Sequence, residues 1–106
     1  MNTQQSNRPL FSISIAASLT GLHSRTLMAY ERNQLVAPHR TKGQRRLYSY
    51  NDLKTIHFLQ FLTQKKSVNL AGAKVILEAI EAAKEHNLEL KKKLFPEYRE
   101  ATQVNP

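Results

Sequence analysis

At 106 residues, 41% of them hydrophobic, the chain is sized for one domain with a modest core and leaves no room for a ligand-sensing domain of ordinary size. The net charge of +8 is concentrated at the front: residues 1–66 hold ten Lys and Arg against two Asp and Glu, whereas residues 67–106 hold six of each, which points the front half at a polyanion. The lack of cysteine excludes disulfides, thiolate metal sites and thiol redox sensing. No apolar run reaches membrane-spanning length behind the polar start MNTQQSNRP, so a cytoplasmic protein without membrane contact is expected.

Residues 1–10 read as a disordered arm, with Arg8 solvated rather than bound. From Ile13 to Leu19, the residues Ile13, Ala16, Ala17 and Leu19 recur at helical spacing behind a cap at Ser12 or Ser14, and Thr20-Gly21 closes the helix. A second helix is expected from Ser24, as its N-cap, to Asn33, with Leu27, Tyr30 and Ala29 turned inward. The pair makes a helix-turn-helix with the second helix as reader. After Pro38 the stretch HRTKGQRRLY places cations on both arms of a hairpin whose turn is Lys42-Gly43, forming a wing. Within residues 23–48 six cations face one acid, Glu31.

Ser49-Tyr50-Asn51-Asp52 reads as a capping box with Asp in the place of Glu. It opens a third helix to about Lys65 whose wide apolar stripe, Leu53, Ile56, Phe58, Leu59, Phe61 and Leu62, makes it the pillar of the core. Asn69 caps a further helix from Leu70. There Ile76, Ile80, Ala83, Asn87, Leu90 and Leu94 are spaced 4, 3, 4, 3, 4, a seam suited to dimerisation, or equally the inner face of a helix packed on its own domain. Asn87 either sets the register of that seam or marks a break between two helices. Pro96 ends the helical pattern, and residues 96–106 read as a frayed tail. The expected architecture is mainly α: a winged helix-turn-helix over residues 11–80 with a small β-hairpin wing, followed by a C-terminal helix over residues 81–95.

The residues do not compose an active site. The glycines Gly21, Gly43 and Gly72 do not form a phosphate-cradling loop, and His23, His39, His57 and His86 lack metal-ligand spacing, so neither an enzyme nor a metal or cofactor site is expected. The chemistry present suits double-stranded DNA. Arg25 can donate to guanine or phosphate, while Ser24, Thr26 and Met28 can make shorter polar or methyl contacts. Tyr30 reads evenly as a phosphate contact or as core, and Arg32 as a phosphate contact or a structural residue. Arg40, Lys42, Arg45 and Arg46 offer charge to the backbone or to a narrow minor groove.

The stretch ISIAASLTGLHSRTLMAYERNQLVAPHRTKGQRRLYSYNDL resembles the N-terminal domain of the MerR family of winged-helix transcription regulators, through Tyr30-Glu31-Arg32, Leu35, Pro38, Arg40 and Arg46-Leu47-Tyr48. SVNLAGAKVILE, Ser67 to Glu78, is similar to the matching segment of HspR-type heat-shock repressors in that family. Where the family has Gly before the apolar Leu, this chain has Gln34. Where the family has a dimerisation helix after a separate fourth helix, this chain has only Leu88 to Phe95 before Pro96. The resemblance implies a homodimer on an inverted repeat near a promoter, with DNA contacts from Ser24, Arg25, Thr26, Tyr30, Arg40, Arg46 and Tyr48. It also implies repression of chaperone genes with a DnaK-class chaperone as corepressor. Two other readings compete: a monomeric, excisionase-like protein that bends DNA, and a protein-interaction adaptor that works through the helix from Leu70.

Overall fold

The computed structural model describes residues 3–100. Along the chain run α1 (Thr3–Ser6), β1 (Phe11–Ser12), α2 (Ile13–Thr20), α3 (Ser24–Arg32), β2 (His39–Arg40), β3 (Arg46–Tyr48), α4 (Tyr50–Gln64), α5 (Leu70–Lys84) and α6 (Leu90–Leu94). Helices carry the core, and a three-stranded antiparallel sheet ordered β1-β3-β2 carries the wing.

The centre is α4. Ser49 starts it with a full capping box: the Asp52 backbone N–H donates to Ser49 Oγ at 3.0 Å, and the Ser49 N–H donates to Asp52 Oδ2 at 2.9 Å. Leu53, Ile56, Leu59 and Leu62 are fully buried and Phe58 nearly so, each contributing about 1.5–3 kcal/mol relative to exposure. Phe61 is half-buried beside them. Around this pillar pack Ala16 of α2, Leu27 and Tyr30 of α3, Tyr48 of β3, and Ala73 and Ile80 of α5.

α2 is capped by Ser12, whose hydroxyl accepts from the Ile15 N–H at 3.3 Å, and it stops at Gly21 in the left-handed region, φ 72°. Only three residues, Gly21 to His23, then separate α2 from α3, so the helix-turn-helix forms as the spacing predicts. α3 ends in a Schellman turn. Leu35 N–H donates to the Tyr30 carbonyl and Gln34 N–H to the Glu31 carbonyl, both at 2.9 Å, with Gln34 itself at φ 60°. That left-handed φ is the physical reason a glycine suits this position.

Four sequence expectations change. The arm read as disordered includes α1, and the Leu10 N–H donates to the Tyr48 carbonyl at 3.0 Å, which draws Phe11–Ser12 onto β3 as a third strand. Asn7 Oδ1 accepts from Asn51 Nδ2 at 2.6 Å, tying the arm to the start of α4. The wing turn Thr41-Lys42-Gly43-Gln44 is closed by Gln44 N–H to Thr41 O at 2.9 Å, and its left-handed residue is Gln44, φ 67°, not Gly43. This is a turn followed by a left-handed residue, not the two-residue Lys-Gly turn expected.

The seam from Ile76 to Leu94 does not lie on one helix. Asn87 sits at φ 57°, Leu88 N–H donates to Ala83 O at 3.0 Å and Asn87 N–H to Lys84 O at 3.1 Å, the same helix-stopping turn as at Gln34. Of the six seam residues, Ile80 is buried in the chain's own core, Ile76 and Leu90 pack against it, Ala83 is half-buried, and Asn87 and Leu94 are exposed. Asn87 thus marks a break, the second of its two sequence readings.

The tail read as frayed from Pro96 folds back as far as Glu100, and residues 101–106 of that expectation lie outside the described residues. Phe95 and Tyr98 close over Phe58 and Phe61, with ring centroids 4.9–5.8 Å apart, and the Tyr98 hydroxyl meets His57 Nδ1 at 2.8 Å. Lys91 Nζ stands 4.4 Å from the Phe58 ring and 2.7 Å from Glu100. Burial, followed by the charge of Glu100, pushes the Tyr98 phenol far above its ordinary value, so the ring stays neutral in the cluster.

Candidate nucleic-acid interface

α3 begins one residue earlier in its capping than the sequence suggests. His23, not Ser24, is the N-cap: its Nδ1 accepts from the Arg25 backbone N–H at 3.0 Å. A ring nitrogen can take the role of the usual hydroxyl or carboxylate because the geometry needs only an acceptor two residues back from an unpaired N–H. Ser24 then becomes the first helical residue, and Arg25 leaves the first turn exposed to solvent. Arg32 is exposed at the far end, and Ser24, Thr26, Met28 and Ala29 are half-buried between them. Leu27 and Tyr30 face the core, as the helical spacing requires.

Two tyrosines assigned to DNA by sequence or by resemblance are interior residues instead. Tyr30 is 3% exposed, and burial raises its phenol despite an opposing hydrogen bond with Thr63. Tyr48 is 1% exposed; burial first, then the negative charge of Glu31, raises its phenol too. The Tyr48 hydroxyl has no hydrogen-bond partner among the described residues. Both aromatic rings alternate or turn inward with their element's period, and the packing of α2 and α4 against them completes the burial. The Tyr48 hydroxyl itself is buried in this conformation.

The wing lies against α3 through one carboxylate. Glu31 Oε1 accepts from Arg46 Nε at 2.7 Å, and Arg40 Nη2 donates to both Glu31 oxygens, at 3.1 and 3.2 Å. Arg40 Nη1 is also committed, to the Gln44 carbonyl at 2.7 Å, and Thr41 Oγ1 accepts from the Arg45 N–H at 3.1 Å inside the turn. Partial burial would raise the Glu31 carboxyl, but the hydrogen bond and charge of Arg46, joined by Arg40, outweigh it and hold the group below its ordinary range. Glu31 is therefore ionised at neutral pH. Its side chain is 23% exposed, so the pairs are shielded in part from the screening that makes surface ion pairs weak.

The cations expected to bind DNA thus divide. Arg40 and Arg46 are held by Glu31, whereas Arg25, Arg32, Lys42 and Arg45 are exposed and have no ion pair among the described residues. The sequence named all six but missed the brace. Its signal was present as the single acid within that run of cations, and the His23 cap and the Phe95–Tyr98 closure had no comparable local signal. No group of three His, Asp or Glu side chains able to hold a metal occurs among the described residues. No helix among them is long and apolar enough to cross a membrane.

Residues 11–80, from β1 through most of α5, match the family model described as MerR HTH family regulatory protein. A putative heat shock protein HspR of Streptomyces coelicolor is 47% identical over 70 residues, which cover 66% of this chain and 46% of that protein. The HTH-type transcriptional regulators GlnR of Bacillus anthracis and Bacillus cereus are each 42% identical over 78 residues, covering 73% of this chain and 59% of theirs. The chain spans about half the length of the curated relatives it matches.

Proposed function

The chain belongs to the MerR family of helix-turn-helix regulatory proteins, and on that premise we propose that it is a sequence-specific, DNA-binding transcriptional regulator. One observation carries the reading: reader helix and cationic wing are joined as a single body through Glu31, while Arg25, Arg32, Lys42 and Arg45 remain exposed for bases and phosphates. Such a body docks without first having to order its wing. The likeness to a protein named for heat shock supports the finer reading, a repressor of stress or chaperone genes that acts in the cytoplasm on an inverted repeat as a dimer. A DnaK-class chaperone as corepressor belongs to the same proposal and rests on the resemblance alone. The homologues bear regulator or heat-shock names rather than enzyme names, in keeping with a binding protein.

The interruption at Asn87 favours one rival, a monomeric architectural protein that bends DNA, because a dimer through a continuous Ile76–Leu94 helix is not available to this conformation. Selection of sites from random duplex DNA, at a fixed and stated salt concentration, separates the readings. An inverted repeat is the expected product. A single half-site would point to the monomeric protein, and no enrichment would overturn sequence-specific regulation altogether.

A further inference from the structure

Glu31 is out of place for a surface that meets DNA. A carboxylate among six cations lowers the local attraction for phosphate, and it cannot be excused as a reader of cytosine, since Oε1 already accepts from both Arg40 and Arg46. The two arginines that hold it are not equivalent. Arg40 spends Nη2 on Glu31 and Nη1 on the Gln44 carbonyl, so its head is committed within the protein. Arg46 gives Glu31 only Nε, at 2.7 Å, and its two terminal nitrogens have no partner among the described residues.

A guanidinium held by Nε is fixed in plane and in angle, because the fork is rigid and the bond directional. Its outer edge is then preset for a bidentate contact with a phosphate. Arg40 holds the opposite strand, pairing across from Arg46 in the β2–β3 register, so one carboxylate sets the position of both arms of the hairpin. The side chain of Arg46 is 24% exposed and that of Arg40 37%, consistent with heads that reach the surface from a supported stem.

We propose that Glu31 is a positioning residue for DNA recognition, fixing the wing on the reader helix through Arg40 and aiming the free edge of Arg46 at a backbone phosphate. This rests on the DNA-binding reading above and adds a division of labour to it: Arg40 braces, Arg46 contacts, and Glu31 trades nonspecific attraction for a defined register. Ion-pair geometry at the protein surface is ordinarily loose, but here three hydrogen bonds to one carboxylate restrict it.

The test compares the wild-type chain with Glu31→Gln on the duplex selected by the wild type and on random duplex, at one salt concentration, with thermal melts alongside. Loss of a negative charge should tighten binding to random duplex, while the ratio of selected to random affinity falls by roughly tenfold as the register loosens. Arg46→Lys should lower that ratio in the wild-type background and change it little in the Glu31→Gln background. Affinities that rise together with an unchanged ratio would reduce Glu31 to a simple repelling charge and overturn the proposal. Equal effects of Arg46→Lys in both backgrounds would overturn it as well. If Glu31→Gln fails to fold, Glu31→Asp, which keeps the charge but withdraws it by one methylene, reads out the same ratio. A wild-type chain with no site preference would defeat the DNA-binding reading, and this role with it; a preference kept by the variant would defeat this role alone.

Discussion

Tyr48 shows how a side chain's identity and its duty separate. The resemblance gives it a DNA contact, yet it is 1% exposed with a hydroxyl that meets no partner among the described residues. A buried, unpaired hydroxyl is unfavourable by about 1–3 kcal/mol, so removing it should not hurt. We expect Tyr48→Phe to leave DNA affinity unchanged and to keep or raise stability by up to about 1 kcal/mol; titrations and urea melts on one preparation check both. A drop in affinity would show that the phenol swings out to the phosphate on binding. Ser24 and His23 make the same point in milder form. Ser24 is the better N-cap by type, but the acceptor that the Arg25 N–H finds is the imidazole one residue earlier, because the φ and ψ that place a cap belong to His23.

Helix ends, at the scale of elements, decide where this chain turns. Gln34 and Asn87 both occupy the left-handed position of a helix-stopping turn, with φ of 60° and 57°. Asparagine tolerates that region because its short amide can bond locally, whereas glutamine bears the steric penalty of its Cβ. Gln34→Gly should therefore stabilise the fold by about 1 kcal/mol, less whatever the exposed Lys74–Gln34 hydrogen bond contributes, read as a higher urea midpoint with the same slope. The C-terminal closure allows a second test. Tyr98 bonds His57 and packs edge-on against Phe58, ring centroids 5.1 Å apart. Tyr98→Phe should cost about 1 kcal/mol for the hydrogen bond, and Tyr98→Ala about 2 kcal/mol once the half-buried ring is lost as well. A tail that is frayed in solution would make both substitutions neutral in thermal melts.

For the whole molecule the decisive quantity is charge and where it is left unpaired. The front of the chain carries the entire net +8, but Glu31 engages two of its arginines, so the charge left for a polyanion is that of the unpaired cations and of the free edge of Arg46. Arg25, at the start of the reader helix, should matter to sequence: Arg25→Ala weakens the selected site by about 1–3 kcal/mol and relaxes preference at one base position. Lys42, at the wing tip, should matter to charge alone: Lys42→Ala weakens all duplexes alike and lowers the slope of log affinity against log salt by about one. Identical losses on selected and random DNA for both variants would count against a division between reading and clamping.

Much of this architecture is local chemistry and was legible in the residues. Capping at Ser12, Ser49 and Asn69, the Gly21 turn, the apolar stripe of α4 and the basic hairpin after Pro38 each depend on neighbours within a turn or two, so spacing alone places them. The family motif does the same for the functional class. What tertiary structure decided is which of two permitted roles each residue takes. Tyr30 and Tyr48 go inside with Ala16 of α2 and the apolar stripe of α4; Arg40 and Arg46 meet at Glu31 because the hairpin folds onto it, nine and fifteen residues away along the chain. The heptad spacing from Ile76 to Leu94 is real, but periodicity assumes that the helix continues. A single left-handed residue, Asn87, ends it, and beyond it Phe95 packs on Phe58 of α4 while Leu94 stays exposed. Local rules fix an element's type and ends; only contacts distant in sequence determine which face of it is left for DNA.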